Sequence, residues 1–196
     1  MKTKTKDRKV RVLWVGESTF LSTGYAVYGR EILTRLFNTG KYEIAELGCF
    51  GIASDKRTNC VPWKFYPNLP NNADEEIKYK ERVSNQWGEW KFEAVCLDFL
   101  PDIVIDIRDQ WMYSFEETSP FRKFFHWAIM PAVDSKPQMD QWLETYKNAD
   151  SVCCYSEFGR DTLAEQLGDN INFCGIASPS ASNIFAPVKD KKEHKD

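Results

Sequence analysis

The 196-residue sequence lacks most of the features that assign a chain to a class at first reading. No apolar run approaches the ~20 residues that a membrane-crossing helix needs. The basic start leads straight into a short apolar strand rather than an h-region, so no signal peptide is expected. With two histidines, and six cysteines that never stand at C-x-x-C spacing, no zinc site or other metal site is expected. Charge of one sign is missing too. Lys and Arg number 26 against 29 Asp and Glu, a net charge of −3, so non-specific nucleic-acid binding is not favoured. Gly16, Gly24 and Gly29 do not fall at G-x-G-x-x-G spacing, and no Gly-Lys-Ser/Thr follows a glycine loop. That excludes the dinucleotide fingerprint and the Walker loop. Cys49, Cys96, Cys153 and Cys174 lie in or beside apolar runs and read as small core residues, as expected of a reduced, cytoplasmic protein.

What is present begins at residues 11–36, RVLWVGESTFLSTGYAVYGREILTRL. Val10, Val12, Leu13, Trp14 and Val15 form a run too short for a helix and rich in strand formers. A hydroxyl-rich loop follows from Gly16 to Gly24. Tyr25, Tyr28, Ile32, Leu33 and Leu36 then share one helical face, with Ser22 or Thr23 as cap and Gly40 as terminator. A strand feeding a polar loop that opens a helix is a common anion site, because free N–H groups and the helix dipole point at the ligand.

Further strands are expected at 42–49, 103–107, 124–130, 151–154 and 172–176. Residues 50–72 read as a Pro/Asn-rich connection whose Trp63, Phe65 and Tyr66 either pack locally or shape a ligand site. Residues 74–100 read as mostly helical, with Trp87, Trp90, Ala94 and Leu97 near one face and a break at Pro101. Shorter helices are expected at 138–146 and 156–167, the second ended by Gly168. Alternating strands and helices predict an α/β fold: a Rossmann-like, doubly wound parallel sheet with helices on both faces. The expected division is a charged tail (1–9), one domain (10–188) and a charged tail or linker (189–196).

Several segments carry a resemblance. Ser22-Thr23-Gly24-Tyr25 is followed by Arg30-Glu31-Ile32-Leu33. Phe99-Leu100-Pro101-Asp102 leads into Ile103-Val104-Ile105. Asn148-Ala149-Asp150-Ser151-Val152 precedes Tyr155-Ser156-Glu157-Phe158-Gly159-Arg160, and Asn183-Ile184-Phe185-Ala186-Pro187 comes last. In this order they resemble the N-terminal domain of the GT-B glycosyltransferases, in particular the large retaining family. One departure stands out. The family's His-Gly-Val-Asp before F-x-P is here Ser178-Pro179-Ser180-Ala181. The resemblance implies the acceptor-binding half of an enzyme that moves a hexose from a nucleotide-diphosphate sugar to an acceptor with retention. It implies a nucleotide-sugar as co-substrate and no other cofactor. The acceptor would be a glycan, a lipid-linked group or a small molecule, and a second, donor-binding domain lies outside this chain. Without that domain the chain alone is expected to be inactive. Two other readings stay open: a non-catalytic GT-B-like binding module, and a different nucleotide-binding α/β protein.

Ligands of such sheets bind beyond the C-terminal strand ends. That selects the loops at 17–24, 108–111, 131–135 and 155–160, and in and beside them the resemblance implies Thr23, Gly24, Tyr25, Ser156 and Arg160 as donor- or phosphate-facing, Asp109 and Asp134 as catalytic, and Trp111 as acceptor-facing. Asp109 suits either sugar hydroxyls or a helix N-cap. Trp111 suits either a sugar face or core packing, and Asp134 either the cleft wall or a turn. Arg160 suits either a phosphate or a surface pair with Asp161 or Glu157. His126, near a strand start among apolar neighbours, reads as a core residue. The basic run at the N-terminus is the one feature suited to a membrane surface, although it has no apolar face.

Overall fold

A computed structural model describes residues 8–180. Residues 1–7 of the expected N-terminal tail, Ala181, Asn183–Pro187 and the whole expected 189–196 segment lie outside these residues. Seven strands form one sheet in the order β3-β2-β1-β4-β5-β6-β7. They are β1 (Val10–Glu17), β2 (Tyr42–Cys49), β3 (Lys64–Pro67), β4 (Ile103–Asp106), β5 (His126–Ile129), β6 (Ser151–Cys154) and β7 (Phe173–Ile176). Every pairing is parallel. β1 is an interior strand because its apolar run can be buried on both faces, as parallel sheets require. The order reverses between β1 and β4, which opens a crevice at their C-terminal ends.

The alternation of β1 divides the core. Trp14 packs on one face with Leu33, Ile44, Trp63, Ile107 and Met130. That face is covered by α1 (Gly24–Asn38), through Tyr25, Tyr28, Ile32 and Leu36. Leu13 and Val15 point to the other face. There α3 (Glu89–Phe99), α4 (Ser114–Thr118), α5 (Asp140–Asn148) and α6 (Glu157–Leu167) supply Phe92, Val95, Phe115, Leu143, Tyr146, Leu163 and Leu167. Each fully buried aliphatic side chain contributes about 1.5–3 kcal/mol. Trp14 is only 1% exposed and needs two glycines. A Cβ at Gly16 would lie 2.7 Å from its Nε1, and one at Gly29 would lie 2.8 Å from its Cζ2.

Several expectations are corrected. Residues 50–72 contain the edge strand β3, which Lys64 and Pro67 disguise because such residues are tolerated at a sheet edge. The segment 74–100 is mostly helical, as expected, but in three pieces rather than on one face. They are α2 (Ala73–Lys80), a 3-10 turn at Val83–Trp87, and α3, with Gly88 at φ 113 between the last two. The buried face of α3 is Phe92, Val95, Cys96 and Phe99, while Leu97 is 61% exposed. The helix ends at Leu100 in a left-handed cap immediately before Pro101. β5 starts at His126, two residues later than expected, because a 3-10 turn takes Arg122–Phe124. Cys49 and Cys96 are core residues, but Cys174 is exposed, Cys153 is half-buried, and the two are joined in a disulfide. His126 is exposed and bonds Ser151 Oγ through Nε2 at 2.8 Å.

Candidate functional site

The loop after β1 is held from below. Glu46 on β2, fully buried, accepts from Thr19 N at 2.7 Å, Thr19 Oγ1 at 2.8 Å and Trp63 Nε1 at 2.7 Å. Burial raises its pKa against the pull of those donors. Ser18 Oγ donates to Cys49 O at 2.8 Å, and Arg30 reaches back from α1 to Thr19 O at 2.8 Å. The backbone is thus fixed before it enters α1. Thr23, rather than Ser22, is the cap: its Oγ1 accepts from Ala26 N at 3.4 Å and donates to the Glu17 carboxylate. A carboxylate therefore already stands beside the N-terminus of α1. Gly24 opens the helix with nothing within 4 Å of where a Cβ would be.

Across the crevice, β4 ends in Asp106 and continues to Arg108 and Asp109. Arg108 is fully buried, bonds both Asp106 oxygens from Nε at 3.0 Å, and donates to Trp87 O at 3.0 Å. That buried pair sets the direction in which the next residue leaves the strand. Asp109 occupies the cap position of a 3-10 turn at Gln110–Met112, but its side chain makes no cap bond. The Tyr25 side chain is close enough to act on its ionisation. Burial raises the Asp109 pKa. The Tyr25 hydrogen bond opposes that rise, and the negative charges of Asp134 and Asp106 add to it. Tyr25 is itself shifted upward by burial and by Asp109. Beneath, Glu116 is wholly buried, and burial beside Asp106 raises its pKa well above the usual carboxyl range. Its Oε2 accepts from Trp127 Nε1 at 2.5 Å, whereas Oε1 receives no donor.

The third wall comes from β6 and the residues after β7. Tyr155 donates to Ile107 O at 2.5 Å, and its ring lies 5.7 Å from that of Tyr28. Tyr28 donates to Ala177 O at 2.8 Å. Glu17, Thr23, Gly24, Tyr25, Tyr28, Tyr155 and Pro179 enclose a groove of about 380 Å³.

The structure brings together Thr23, Gly24, Tyr25 and Asp109, with Asp134 close enough for its charge to act on Asp109. Asp134 itself is exposed. Ser156 follows Tyr155 and caps α6, accepting from Gly159 N at 3.2 Å. Arg160 pairs with Asp161 at 2.8 Å. Trp111 is neither core nor part of the groove lining: it is 52% exposed and packs on Trp142, ring centres 6.1 Å apart. Trp63 packs in the core with Trp14, and Phe65 packs on Phe20 of the loop after β1, ring centres 5.5 Å apart. Arg108 and Tyr155 fall in loops that the strand-end rule selects, without a role of their own, and Tyr28 is expected only as a packing residue of the first helix, whereas Glu46 and Glu116 are missed. A charged residue inside an apolar strand, as Glu46 is in YEIAELGC, was the available signal.

No family model and no curated protein matches the sequence. Solved structures do. Sucrose-phosphate synthase from Thermosynechococcus elongatus superposes with a TM-score of 0.61 at 15% identity, over 95% of this chain and 52% of that one. The fold is that of one GT-B Rossmann-like half. UDP-GlcNAc 2-epimerase from Methanocaldococcus jannaschii gives 0.54 at 13% identity, over 87% and 46%. A putative UDP-N-acetylglucosamine 2-epimerase from Listeria monocytogenes gives 0.52 at 14%, over 85% and 44%. The chain thus spans about half the length of each of these proteins. Among the described residues no helix is long and apolar enough to cross a membrane.

Proposed function

We propose that this chain is the acceptor-side half of a GT-B glycosyltransferase that moves a hexose from a nucleotide-diphosphate sugar to an acceptor with retention. The observation that carries the reading is the groove at the β1/β4 crevice, where tyrosines 25, 28 and 155 stand beside Glu17 and Asp109. Aromatic faces and carboxylates suit a neutral polyhydroxyl ligand, which needs apolar contact on its C–H face and acceptors for its hydroxyls. Glu17 beside the α1 N-terminus would repel a diphosphate placed there. Thr23, Gly24 and Tyr25 are therefore assigned to the sugar rather than to the phosphates. Ser156 and Arg160, at the start of α6, are left to approach the diphosphate, whose remaining contacts come from the second half of the enzyme.

In this scheme Asp109 orients the acceptor hydroxyl, Tyr25 holds Asp109, and Asp134 raises its proton affinity. Pre-positioned groups of this kind act by orientation and electrostatics. No cofactor beyond the nucleotide-sugar is invoked. Membrane association of the basic N-terminal run, for a lipid-linked acceptor, belongs to the same proposal.

The test is a ligand titration of the 196-residue chain followed by NMR. Neutral mono- and disaccharides are expected to shift the amides of Tyr25, Asp109 and Tyr155 in the millimolar range. A nucleoside diphosphate without sugar is expected to leave them in place. Tight diphosphate binding at the α1 N-terminus, with no response to neutral sugars, would overturn the acceptor-side assignment.

A further inference from the structure

Cys153 and Cys174 lie 21 residues apart in sequence, and their Cα atoms are 5.4 Å apart. That spacing is within the range a disulfide bridges without backbone movement. The register explains how they meet. Val152 pairs with Phe173 and Cys153 pairs with Gly175, so Cys174 is the extra residue of a bulge facing β6. Cys174 is exposed and Cys153 half-buried, so the pair lies at the protein surface rather than in the core. Of the other four cysteines, Cys49, Cys96 and Cys154 are buried and Cys60 is exposed.

The position of the pair matters more than its existence. β7 is an edge strand, paired on one side only and through three residue pairs. It runs directly into a wall of the groove. Ala177 N donates to Cys154 O at 2.8 Å, Ala177 O accepts from Tyr28, Ser178 Oγ donates to Tyr155 O at 2.9 Å, and Pro179 lines the cavity. A short edge strand with so few pairs belongs to the low-stability end of a fold and opens locally.

We propose that Cys153 and Cys174 form a reversible redox latch that holds β7, and with it the Ala177–Pro179 wall, against the sheet. In the oxidised state a covalent bond supplements the three pairs of β7. In the reduced state those pairs and the Tyr28 and Ser178 contacts hold the wall alone. The oxidant is a low-molecular-weight disulfide such as oxidised glutathione. The exposed Cys174 thiolate attacks one of its sulfurs, giving a mixed disulfide and one small thiolate. Cys153, losing its proton to that thiolate, attacks the Cys174 sulfur and releases the second small thiolate, which takes a proton from water. Two protein thiols are oxidised and one small disulfide is reduced to two thiols. The latch itself does not depend on which ligand the groove takes.

The experiment uses the 196-residue chain equilibrated in glutathione buffers from fully reduced to fully oxidised. Alkylation and intact mass count the thiols, and hydrogen exchange follows the peptide that contains residues 173–179. On oxidation the wild type is expected to yield a linked Cys153–Cys174 peptide two hydrogens lighter than the reduced pair and carrying no glutathione, any glutathione adduct being on the exposed Cys60. Exchange at Ala177 should slow by about ten-fold or more, as expected when local opening is suppressed, while α3 is unchanged. Cys153→Ser and Cys174→Ser should show the fast, redox-insensitive exchange of the reduced wild type. The comparison of oxidised with reduced wild type needs no variant to fold. A chain that forms no Cys153–Cys174 link in oxidised glutathione, or one that links with unchanged exchange at Ala177, overturns the latch.

Discussion

At the residue scale the site is governed by what surrounds each carboxyl group. Asp109 is shifted upward by burial and by the charge of Asp134, and the Tyr25 hydroxyl opposes the shift. Tyr25→Phe removes the group that stabilises the ionised form, so the Asp109 pKa should rise further in carbon-13 titrations. A fall in that variant would mean that the hydroxyl does not bond Asp109. Glu116 offers a second test. Its Oε1 has no hydrogen-bond partner, and burial, with the charge of Asp106 adding to it, raises its pKa well above the usual carboxyl range. The folded state then holds the Glu116 proton more tightly than the unfolded chain does. The contribution to stability is complete below the unfolded carboxyl pKa of about 4.3 and is lost as pH rises toward the raised folded value. Glu116→Gln mimics the protonated form and should flatten that loss, giving about 1–2 kcal/mol more stability than wild type at pH 8 in urea melts, and no gain at pH 4. Equal gains at both pH values would show that the folded carboxyl is ionised throughout.

At the scale of elements, the loop from β1 into α1 separates two uses of glycine. Gly16 and Gly29 clear space for the Trp14 indole, whereas Gly24 faces the open groove. Gly29→Ala should cost about 1–3 kcal/mol, the price of overpacking a rigid buried ring, as measured by denaturant midpoint. Gly24→Val should keep the fold within about 1 kcal/mol, the scale of helix propensity, yet weaken saccharide binding because its branched side chain enters the groove. Full sugar binding by Gly24→Val would move the ligand away from the α1 N-terminus.

At the scale of the molecule, a seven-stranded parallel sheet presents its loops on one edge because every strand points the same way. The chain spans about half of each structural neighbour. Under the proposed function, donor contacts are shared with a second domain. Residues 1–196 alone are therefore expected to show no detectable transfer from any UDP- or GDP-hexose in a product-release assay. Measurable turnover by this chain would contradict the assignment of the donor site to another domain.

The amino-acid pattern alone was enough for the α/β class, for β1 and β2, for α1 and α6, and for the loops from which a site would be built. The physical reason is local. A short apolar run, a hydroxyl cap and a period near 3.6 are properties of neighbouring residues, and so is the signal of Ser156 as a cap. Tertiary structure alone decided the rest. β3 exists because β2 offers it a free edge, and its own Lys64 and Pro67 argue against a strand. Asp109 makes no cap bond, and Tyr25, distant in sequence, is its neighbour instead. Trp111 finds Trp142 instead of the core, and Arg160 finds Asp161. Cys153 and Cys174 meet only because a bulge in β7 turns one toward the other. Each of these outcomes depends on which distant group occupies the adjoining space, and residue type and spacing within one segment carry no record of that.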